Sequence, residues 1–210
     1  MTMTTLSPET IAAIIGGYHG APFDVLGLHA VPGGLAVRTF QPQATQITVV
    51  ANDDGARLME QIHPEGFFEA AFPGQTGFFH YRLKIALPDG REEEIEDPYR
   101  FPPVLSEEDL YLFNEGNHFK LYEKMGAQMS EMESARGVAF AVWAPSAERV
   151  SLVGNFNQWD GRRHPMRPRG ASGVWELFIP GLGAGELYKY VIKSRYRGYT
   201  VTKADPFGFA

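Results

Sequence analysis

One tryptophan of the sequence lies among residues that favour a loop. Trp159 follows residues 154–158, a stretch of turn-forming and amide side chains, so we expect its indole to project near a loop. An exposed indole face can stack against the C–H groups of a sugar ring, whose hydroxyls need donors and acceptors around them. The polar side chains that could serve this purpose are Asn155, Asn157, Gln158 and Lys189. The alternative is a tryptophan that only packs over a hairpin.

The other two tryptophans have the pattern of core residues. Trp175, Leu177 and Ile179 are spaced two positions apart, so a strand would place all three on one face. Trp143 lies in another apolar stretch, just before Ala144-Pro145. We expect both tryptophans to be buried, because a strand that covers a core points every second residue into it.

Known catalytic and metal-binding motifs are absent from the sequence. The chain has no nucleophile elbow, phosphate-binding loop, dinucleotide fingerprint or zinc-protease motif. Its six histidines are scattered, and the glutamate run 92–94 is typical of a solvent-exposed hairpin arm. A glycosidase needs two carboxylates that flank a cleft, and nothing in the sequence builds one. We therefore predict no catalytic residue, no metal site and no cofactor.

The composition argues against several classes of protein. The 210 residues include no cysteine, which excludes disulfide frameworks and thiolate metal sites and favours a cytoplasmic location. The net charge is −6 and neither half has a basic surplus, so we do not expect nucleic acid as a partner. No apolar run reaches the roughly 20 residues of a membrane helix, and no secretory signal is visible. We therefore expect neither nucleic acid nor a membrane among the partners.

The order of motifs in the first half of the chain is repeated in the second. Residues 34–44 resemble residues 137–147, and an apolar strand follows each block. Three further pairs follow in the same order, namely 66–69 with 173–176, 79–84 with 188–193, and 97–101 with 205–209. The offset between paired blocks stays between 103 and 109 residues. The sequence therefore predicts a tandem duplication with small insertions in loops.

Each copy is predicted to be a β-sandwich. Short segments rich in Val, Ile, Phe, Tyr and Trp alternate with turn signals at residues 52–55, 73–74 and 181–185. About seven strands in about 100 residues is the size of an immunoglobulin-like sandwich. The predicted fold class is therefore all-β, with two tandem immunoglobulin-like β-sandwiches at residues 1–105 and 118–210, joined by a linker at residues 106–117.

Two short helices complete the predicted fold. Ser7 is suited to the N-cap of an N-terminal helix, with Pro8 at its first position and Gly16-Gly17 after its end. In the linker, Ser106 and Asp109 have the spacing of a capping box before an apolar turn. The sequence thus predicts one helix at the start of the chain and one between the two copies.

The second copy resembles a known family of carbohydrate-binding modules. The motifs that carry the resemblance are residues 150–160, 164–167, 172–180 and 188–190. They look like the second N-terminal module of bacterial glycogen branching enzymes, and the tryptophan block is shared with isoamylases and with the β-subunits of AMP-activated kinase. Residues 16–27 resemble the start of the extra first module that many branching enzymes have. The resemblance covers nearly the whole chain.

The resemblance implies roles for individual residues. Trp159 stands at the sugar-stacking position of the module family, and Lys189 at its sugar-contacting lysine. Asn157 belongs to the same tryptophan block, and Tyr196 stands where the kinase β-subunits have a second stacking tryptophan. The first copy has no aromatic residue at positions 51–57, so a spacer or substrate-guiding role is an alternative to glucan binding for that copy.

The resemblance also implies a function for the whole chain. Branching enzymes cut α-1,4-glucan and transfer the cut chain to an α-1,6 position, using a catalytic (α/β)8 barrel that would begin just after residues 205–207. We therefore expect a non-catalytic N-terminal region, with α-glucan such as glycogen or maltooligosaccharide as its ligand and the barrel in cis as its partner. Two alternatives stay open. The sandwiches could only dock the barrel and set chain-length preference, or the chain could be an independent glycogen-binding regulatory scaffold.

Overall fold

The chain is mostly β-strand and divides into two compact units. A computed structural model describes residues 4–51 and 55–208, and these residues form mainly strands with two α-helices. The prediction of an all-β chain is thereby confirmed. The units are Met1–Arg100 and Phe101–Ala210. Most of the turn predicted at residues 52–55, and Phe209 in the last repeated block, lie outside the described residues.

The first unit contains two antiparallel sheets around a shared core. Helix α1 (Pro8–Ile15) is followed by β1 (Gly27–Val31), β2 (Gly34–Phe40), β3 (Gln46–Ala51), β4 (Gly55–Leu58), β5 (Glu60–His63), β6 (Phe67–Pro73), β7 (Tyr81–Ala86) and β8 (Glu92–Glu96). The strand orders are β1-β2-β6-β5 and β4-β3-β7-β8. One hydrophobic cluster joins Val37 and Phe68 of the first sheet to Val49 and Leu83 of the second, so the two sheets pack against each other.

The second unit also contains two antiparallel sheets. Helix α2 (Glu107–Asn114) precedes β9 (Gly126–Met132), β10 (Ala135–Trp143), β11 (Ala147–Gly154), β12 (Arg167–Pro168), β13 (Val174–Pro180), β14 (Tyr188–Ser194) and β15 (Thr200–Lys203). The strand orders are β12-β13-β10-β9 and β11-β14-β15. The rings of Phe140 on β10 and Tyr188 on β14 lie 4.9 Å apart between centroids, which brings the two sheets into contact.

Both predicted helices are present with their predicted caps. The Ser7 side chain accepts a hydrogen bond from the Thr10 amide over 3.2 Å, and Ser106 and Asp109 form a capping box. Leu110 of α2 packs in a cluster with Met125 and other residues of the second unit. Neither of the helices within residues 4–51 and 55–208 is long and apolar enough to cross a membrane.

In each unit a buried tyrosine donates its hydroxyl to an aspartate. In the first unit, the Tyr81 hydroxyl donates to Asp97 Oδ2 over 2.6 Å. In the second, the Tyr190 hydroxyl donates to Asp205 Oδ2 over 3.0 Å. Both rings are buried. The paired residues belong to the repeated blocks of the sequence, so the similarity between the halves extends from the sequence to the contacts.

One glycine of each unit fits a turn that no other residue could enter without strain. Gly66 has φ +99° and Gly173 has φ +75°, both in the left-handed region that favours glycine. A Cβ atom would lie 2.5 Å from Pro42 Cα at Gly66, and 2.8 Å from Pro145 Cα at Gly173. Each glycine therefore lets the turn before one strand approach the proline that ends another.

A buried glutamate fixes the segment that precedes α2. Glu176 on β13 is fully buried, and its two carboxylate oxygens accept hydrogen bonds from the amides of Val104 and Leu105, each over 2.9 Å. The Arg169 guanidinium donates to the same carboxylate over 2.9 Å. The charge is thus paired and hydrogen-bonded, as a buried carboxylate requires. Residues 101–106 are held against the outer face of the β13 sheet by these bonds.

The two tryptophans predicted to be buried have different environments. Trp175 is 4% exposed and donates its indole N–H to the Ala144 carbonyl, so its prediction is confirmed. Trp143 is 56% exposed, so its prediction is wrong. Trp143 lies at the end of β10, on the face of the sheet that residues 101–113 cover. Phe113, the last residue of that segment, lies 6.2 Å from Trp143 between ring centroids, so the segment ends beside Trp143. The alternation of apolar residues along a strand cannot indicate where a covering segment ends.

Candidate functional site

The loop after β11 is held together by a buried asparagine. Asn157 is 0% exposed. Its Oδ1 accepts from the Gly154 amide over 2.9 Å, while its Nδ2 donates to the Leu152 carbonyl over 2.9 Å and lies 3.0 Å from His164 Nδ1. Both polar atoms of the Asn157 amide are therefore hydrogen-bonded within the protein. The amide positions the loop, and it has no face left for a ligand.

The same loop presents Trp159 at the surface. The residue is 44% exposed, its backbone N–H donates to the Gly154 carbonyl over 3.0 Å, and its indole N–H donates to Asn155 Oδ1 over 3.0 Å. Gln158 and Trp159 have φ values of 57° and 61°. Left-handed conformations of non-glycine residues are unfavourable, and such strain clusters at functional sites. The loop thus fixes the edge of the indole and leaves part of the ring exposed.

Lys189 lies at the same end of the sheet as Trp159. It pairs with Val153, the residue before Gly154, across the β11–β14 ladder. Gly161 of the loop also lies over this face, because a Cβ atom there would be 3.6 Å from Val153 Cγ1. The Lys189 side chain is exposed. An ammonium donor and an indole ring therefore lie at the same end of the sheet, and their joint role in binding a ligand stays a prediction.

The strand register extends this face with further polar side chains. Val191 and Lys193 follow Lys189 on the same side of β14, and they pair with Thr202 and Thr200 of β15. Directly paired residues of antiparallel strands point to the same face. Sequence reasoning missed these residues, although the alternation after Lys189 could have indicated them.

Tyr196 lies beyond the opposite end of β14. It is 69% exposed, and its amide donates to Ser194 Oγ over 3.0 Å. Ser194 pairs with Ala147 at the start of β11, whereas Lys189 pairs near its end. At about 3.3 Å per residue, the five-residue step from Lys189 to Ser194 covers roughly 16 Å. The structure therefore does not bring Tyr196 together with Trp159.

A neutral histidine hydrogen-bonds to the asparagine that holds the loop. Burial, followed by repulsion from Arg163, lowers the pKa of His164 to about 3. Its ring is therefore uncharged at neutral pH, and Nδ1 can accept the hydrogen bond that Asn157 Nδ2 donates. His164 was one of the six scattered histidines, and its place in the loop could not be inferred from spacing.

An ion pair fixes the second half of the loop. Partial burial would by itself raise the pKa of Asp160, but hydrogen bonds from the side chain and amide of Arg162 hold it below its usual value. The closest of these contacts is 2.8 Å, from Arg162 Nη2 to Asp160 Oδ2. The carboxylate is therefore ionised and occupied by its neighbour.

The chemistry available on this face is binding. An indole ring, two ammonium groups and two hydroxyls can stack against and hydrogen-bond a polyhydroxylated ligand. Within residues 4–51 and 55–208, no group of three or more potential metal ligands lies together.

Comparison with known families divides the chain at the same place as the fold. Residues 7–99 match the N-terminal domain of the alpha-1,4-glucan branching enzyme GlgB. Residues 124–208 match carbohydrate-binding module 48, the isoamylase N-terminal domain. The second match contains both Trp159 and Lys189.

Curated relatives match almost the whole chain. A 1,4-alpha-glucan branching enzyme GlgB of Rubrobacter xylanophilus is 52% identical over 96% of the chain and 27% of that enzyme. The enzyme of Paramagnetospirillum magneticum is 52% identical over 93% of the chain and 26% of its own length. A solved pullulanase from Anoxybacillus sp. LM18-11 aligns with 86% of the chain and 25% of its own length, at 15% identity and a TM-score of 0.32. A TM-score this low does not establish a shared fold.

The chain spans about a quarter of the length of these curated relatives. Its two units match, in order, the two families described above. Over nearly its whole length the chain therefore matches the N-terminal region of 1,4-alpha-glucan branching enzymes GlgB, in the order of a GlgB N-terminal domain followed by a carbohydrate-binding module 48.

Proposed function

We propose that this chain is the non-catalytic, α-glucan-binding N-terminal region of a cytoplasmic glycogen branching enzyme. The parent enzyme would cut α-1,4-glucan and transfer the chain to an α-1,6 position, with a catalytic barrel in cis. The observation that carries the proposal is the partly exposed Trp159 at the same end of the sheet as Lys189, in the unit that matches a carbohydrate-binding module.

In this proposal each predicted site residue has a distinct role. Trp159 stacks on a glucosyl ring, and Lys189 donates a hydrogen bond to its hydroxyls. Asn157 holds the loop without touching the ligand, because it is fully buried. Tyr196, at the far end of β14, provides a second stacking contact for a glucan that runs along the strand past Lys193.

We also propose that each unit is an immunoglobulin-like β-sandwich, and that the two form tandem domains. Two antiparallel sheets in each unit and a core shared between the sheets of the first support this fold. The segment 106–117, predicted as a linker between domains 1–105 and 118–210, contains α2. Because Leu110 packs in the second unit, we assign the segment to the second domain.

A second candidate function is docking of the catalytic barrel. Large exposed side chains in and after α2 favour it: Tyr111 is 64%, Phe119 90% and Tyr122 61% exposed, and Trp143 is 56% exposed. Apolar side chains in such numbers are typical of an interaction surface. In this alternative the units set chain-length preference without measurable affinity for free glucan.

Co-sedimentation with glycogen tests the primary proposal. The chain should pellet with glycogen, and Trp159→Ala should abolish most of that binding. Trp143→Ala is the matched control, since it removes an exposed tryptophan from another strand end and should bind as the wild type does. A wild-type chain that stays in the supernatant would favour docking alone. Binding that both variants retain would refute the role of Trp159.

A further inference from the structure

On the outer face of the β1-β2-β6-β5 sheet, the paired side chains change from aromatic to charged to small along the strands. The β2–β6 register pairs Phe40 with Phe67, then Arg38 with Glu69, then Ala36 with Ala71. The phenylalanine pair belongs to the cluster that α1 covers. Past the charged pair, only small side chains remain on the two strands, so the face is recessed there.

This recess is a groove of about 110 Å³. Ala36 and Ala71 line its floor, Pro32 and Pro73 line its outer end, and Arg38 and Glu69 line its inner end. The volume is well above the roughly 10–15 Å³ that one water needs, and well below the roughly 300–1,000 Å³ of pockets for drug-sized ligands. It therefore suits a ligand about the size of one sugar ring.

The charged pair at the inner end is buried and well ordered by neighbours. Arg38 Nε lies 2.6 Å from Glu69 Oε2, and the two side chains are 4% and 7% exposed. Thr4 Oγ1 donates to the same Oε2 over 3.0 Å, and Arg38 Nη2 donates to Thr5 Oγ1 over 2.8 Å. These bonds to Glu69 all end on one carboxylate oxygen. A ligand in the groove can therefore donate a hydrogen bond to the other oxygen, Oε1, and accept one from Arg38 Nη1.

The second unit uses the corresponding glutamate differently. Glu176 stands in the block that matches the block of Glu69. Both of its oxygens are used within the fold, Oε1 by the Val104 amide and Oε2 by the amide of Leu105. The main chain thus covers the position in the second unit, whereas in the first unit the bonds to Glu69 come from the side chains of Thr4 and Arg38.

We propose that this groove is a second carbohydrate site, which binds the terminal glucosyl residue of an α-glucan chain. Neighbouring hydroxyls of the sugar would bridge Glu69 Oε1 and Arg38 Nη1, as charged groups form the stronger hydrogen bonds. The C–H face of the ring would lie on the alanine floor between Pro32 and Pro73. The groove is bounded by Pro32 and Pro73 at one end and by Arg38 and Glu69 at the other, which leaves room for a chain end and no path for the interior of a chain. The inference rests on the proposed α-glucan function, but it uses none of the residues of the Trp159 face.

Amide chemical shifts of the full chain, titrated with two sugars, test the proposal. Maltotriose has chain ends, whereas β-cyclodextrin is a cyclic α-1,4-glucan that has none. Maltotriose should shift the amides of Ala36, Arg38 and Ala71, and β-cyclodextrin should leave them unchanged. No shift of these amides at saturating maltotriose would overturn the proposal.

Two variants alter the groove without touching the Trp159 loop. Ala71→Phe fills the floor and should weaken the maltotriose response of the groove amides at least tenfold. Glu69→Gln keeps the shape of the groove but removes the negative charge. It should also weaken the maltotriose response of the groove amides. If Glu69→Gln does not fold, the wild-type titration and Ala71→Phe still decide the question. An undiminished groove response in folded Ala71→Phe would contradict the proposal.

Trp159→Ala separates this inference from the proposed function. In that variant, β-cyclodextrin binding should be lost while the groove response to maltotriose is retained. If wild-type chain fails to bind β-cyclodextrin but its groove amides respond to maltotriose, the Trp159 face fails and the groove stands. Loss of both responses on mutation of Trp159 alone would refute an independent groove site.

Discussion

Trp159 is displayed at the surface by contacts that the rest of its loop supplies. Its indole N–H is bonded to Asn155, and its backbone follows a left-handed turn that the buried Asn157 closes. The energetic cost of that turn is met by the loop, and the residue remains 44% exposed. Stability and binding should therefore respond separately to changes at this position.

The three tryptophans should differ in what their removal costs. Trp159→Ala should change the free energy of unfolding by less than about 1 kcal/mol, as expected of a surface substitution. Trp175→Ala should cost about 3–5 kcal/mol, because it empties a core position. Urea unfolding of both variants measures the difference, with Trp143→Ala as a second exposed control. A loss at Trp159 as large as that at Trp175 would show that its ring is a packing residue.

His164 should make the second unit sensitive to mild acid. The folded-state pKa of about 3 lies below the ordinary value of 6.5. Stability from the neutral ring is therefore complete above pH 6.5 and is lost as the pH falls towards 3, since the unfolded chain takes up the proton first. The ring is partly exposed, so we expect at most about 2 kcal/mol of loss between pH 7 and pH 5.

The matched variant for this prediction is His164→Gln. Glutamine can accept the bond from Asn157 but does not titrate. Unfolding free energies measured from pH 7 to pH 5 should fall more steeply for the wild type than for the variant. Parallel pH profiles would mean that His164 is not kept neutral by the fold.

At the scale of elements, the segment before α2 depends on one carboxylate. Glu176 bonds the amides of Val104 and Leu105 and pairs with Arg169. Glu176→Gln would remove the buried counter-charge of Arg169 and leave it only the exposed Glu107, at 2.7 Å. Removing one partner of a buried ion pair typically costs about 3–5 kcal/mol. We expect that loss in urea unfolding, together with faster hydrogen exchange at Val104 and Leu105.

An exposed ion pair of the same unit provides the control. Glu148 pairs with Lys193 over 3.2 Å at the surface. Glu148→Gln should change stability by about 0–1 kcal/mol, as surface pairs do. A Glu176 variant as stable as the Glu148 variant would show that the segment does not need the buried bonds.

Features that the local sequence determines could be predicted. Features that depend on which other segment packs over a residue could not. Caps at Ser7 and Ser106 and the core face of Trp175 follow from spacing alone, and the structure has them. The exposure of Trp143 depends on where the 101–113 segment ends on the sheet, which spacing does not encode. The same holds for Asn157, whose amide looks available in the sequence but is enclosed by the loop.

For the whole molecule, each unit repeats the same internal contacts, but the surfaces that we propose as binding sites differ between the units. The tyrosine–aspartate bond and the strand-entry glycine recur in both. The exposed tryptophan of the loop is specific to the second unit, and the open groove beside a buried ion pair to the first. A duplicated framework with different surfaces is consistent with two binding roles on one chain.

The chain by itself should not branch amylose. Transfer of a glucan chain needs a carboxylic acid and a second carboxylate on either side of the glycosidic bond, and the acid needs a raised pKa. Among the described carboxyl groups, burial raises the pKa of Asp97 to about 6. That group is 1% exposed and accepts the Tyr81 hydroxyl, so no substrate oxygen can reach it. The iodine stain of amylose incubated with purified chain should therefore keep its absorbance maximum, while an intact branching enzyme shifts it. A shift produced by the chain, free of host enzyme, would show that a catalytic pair exists within these residues.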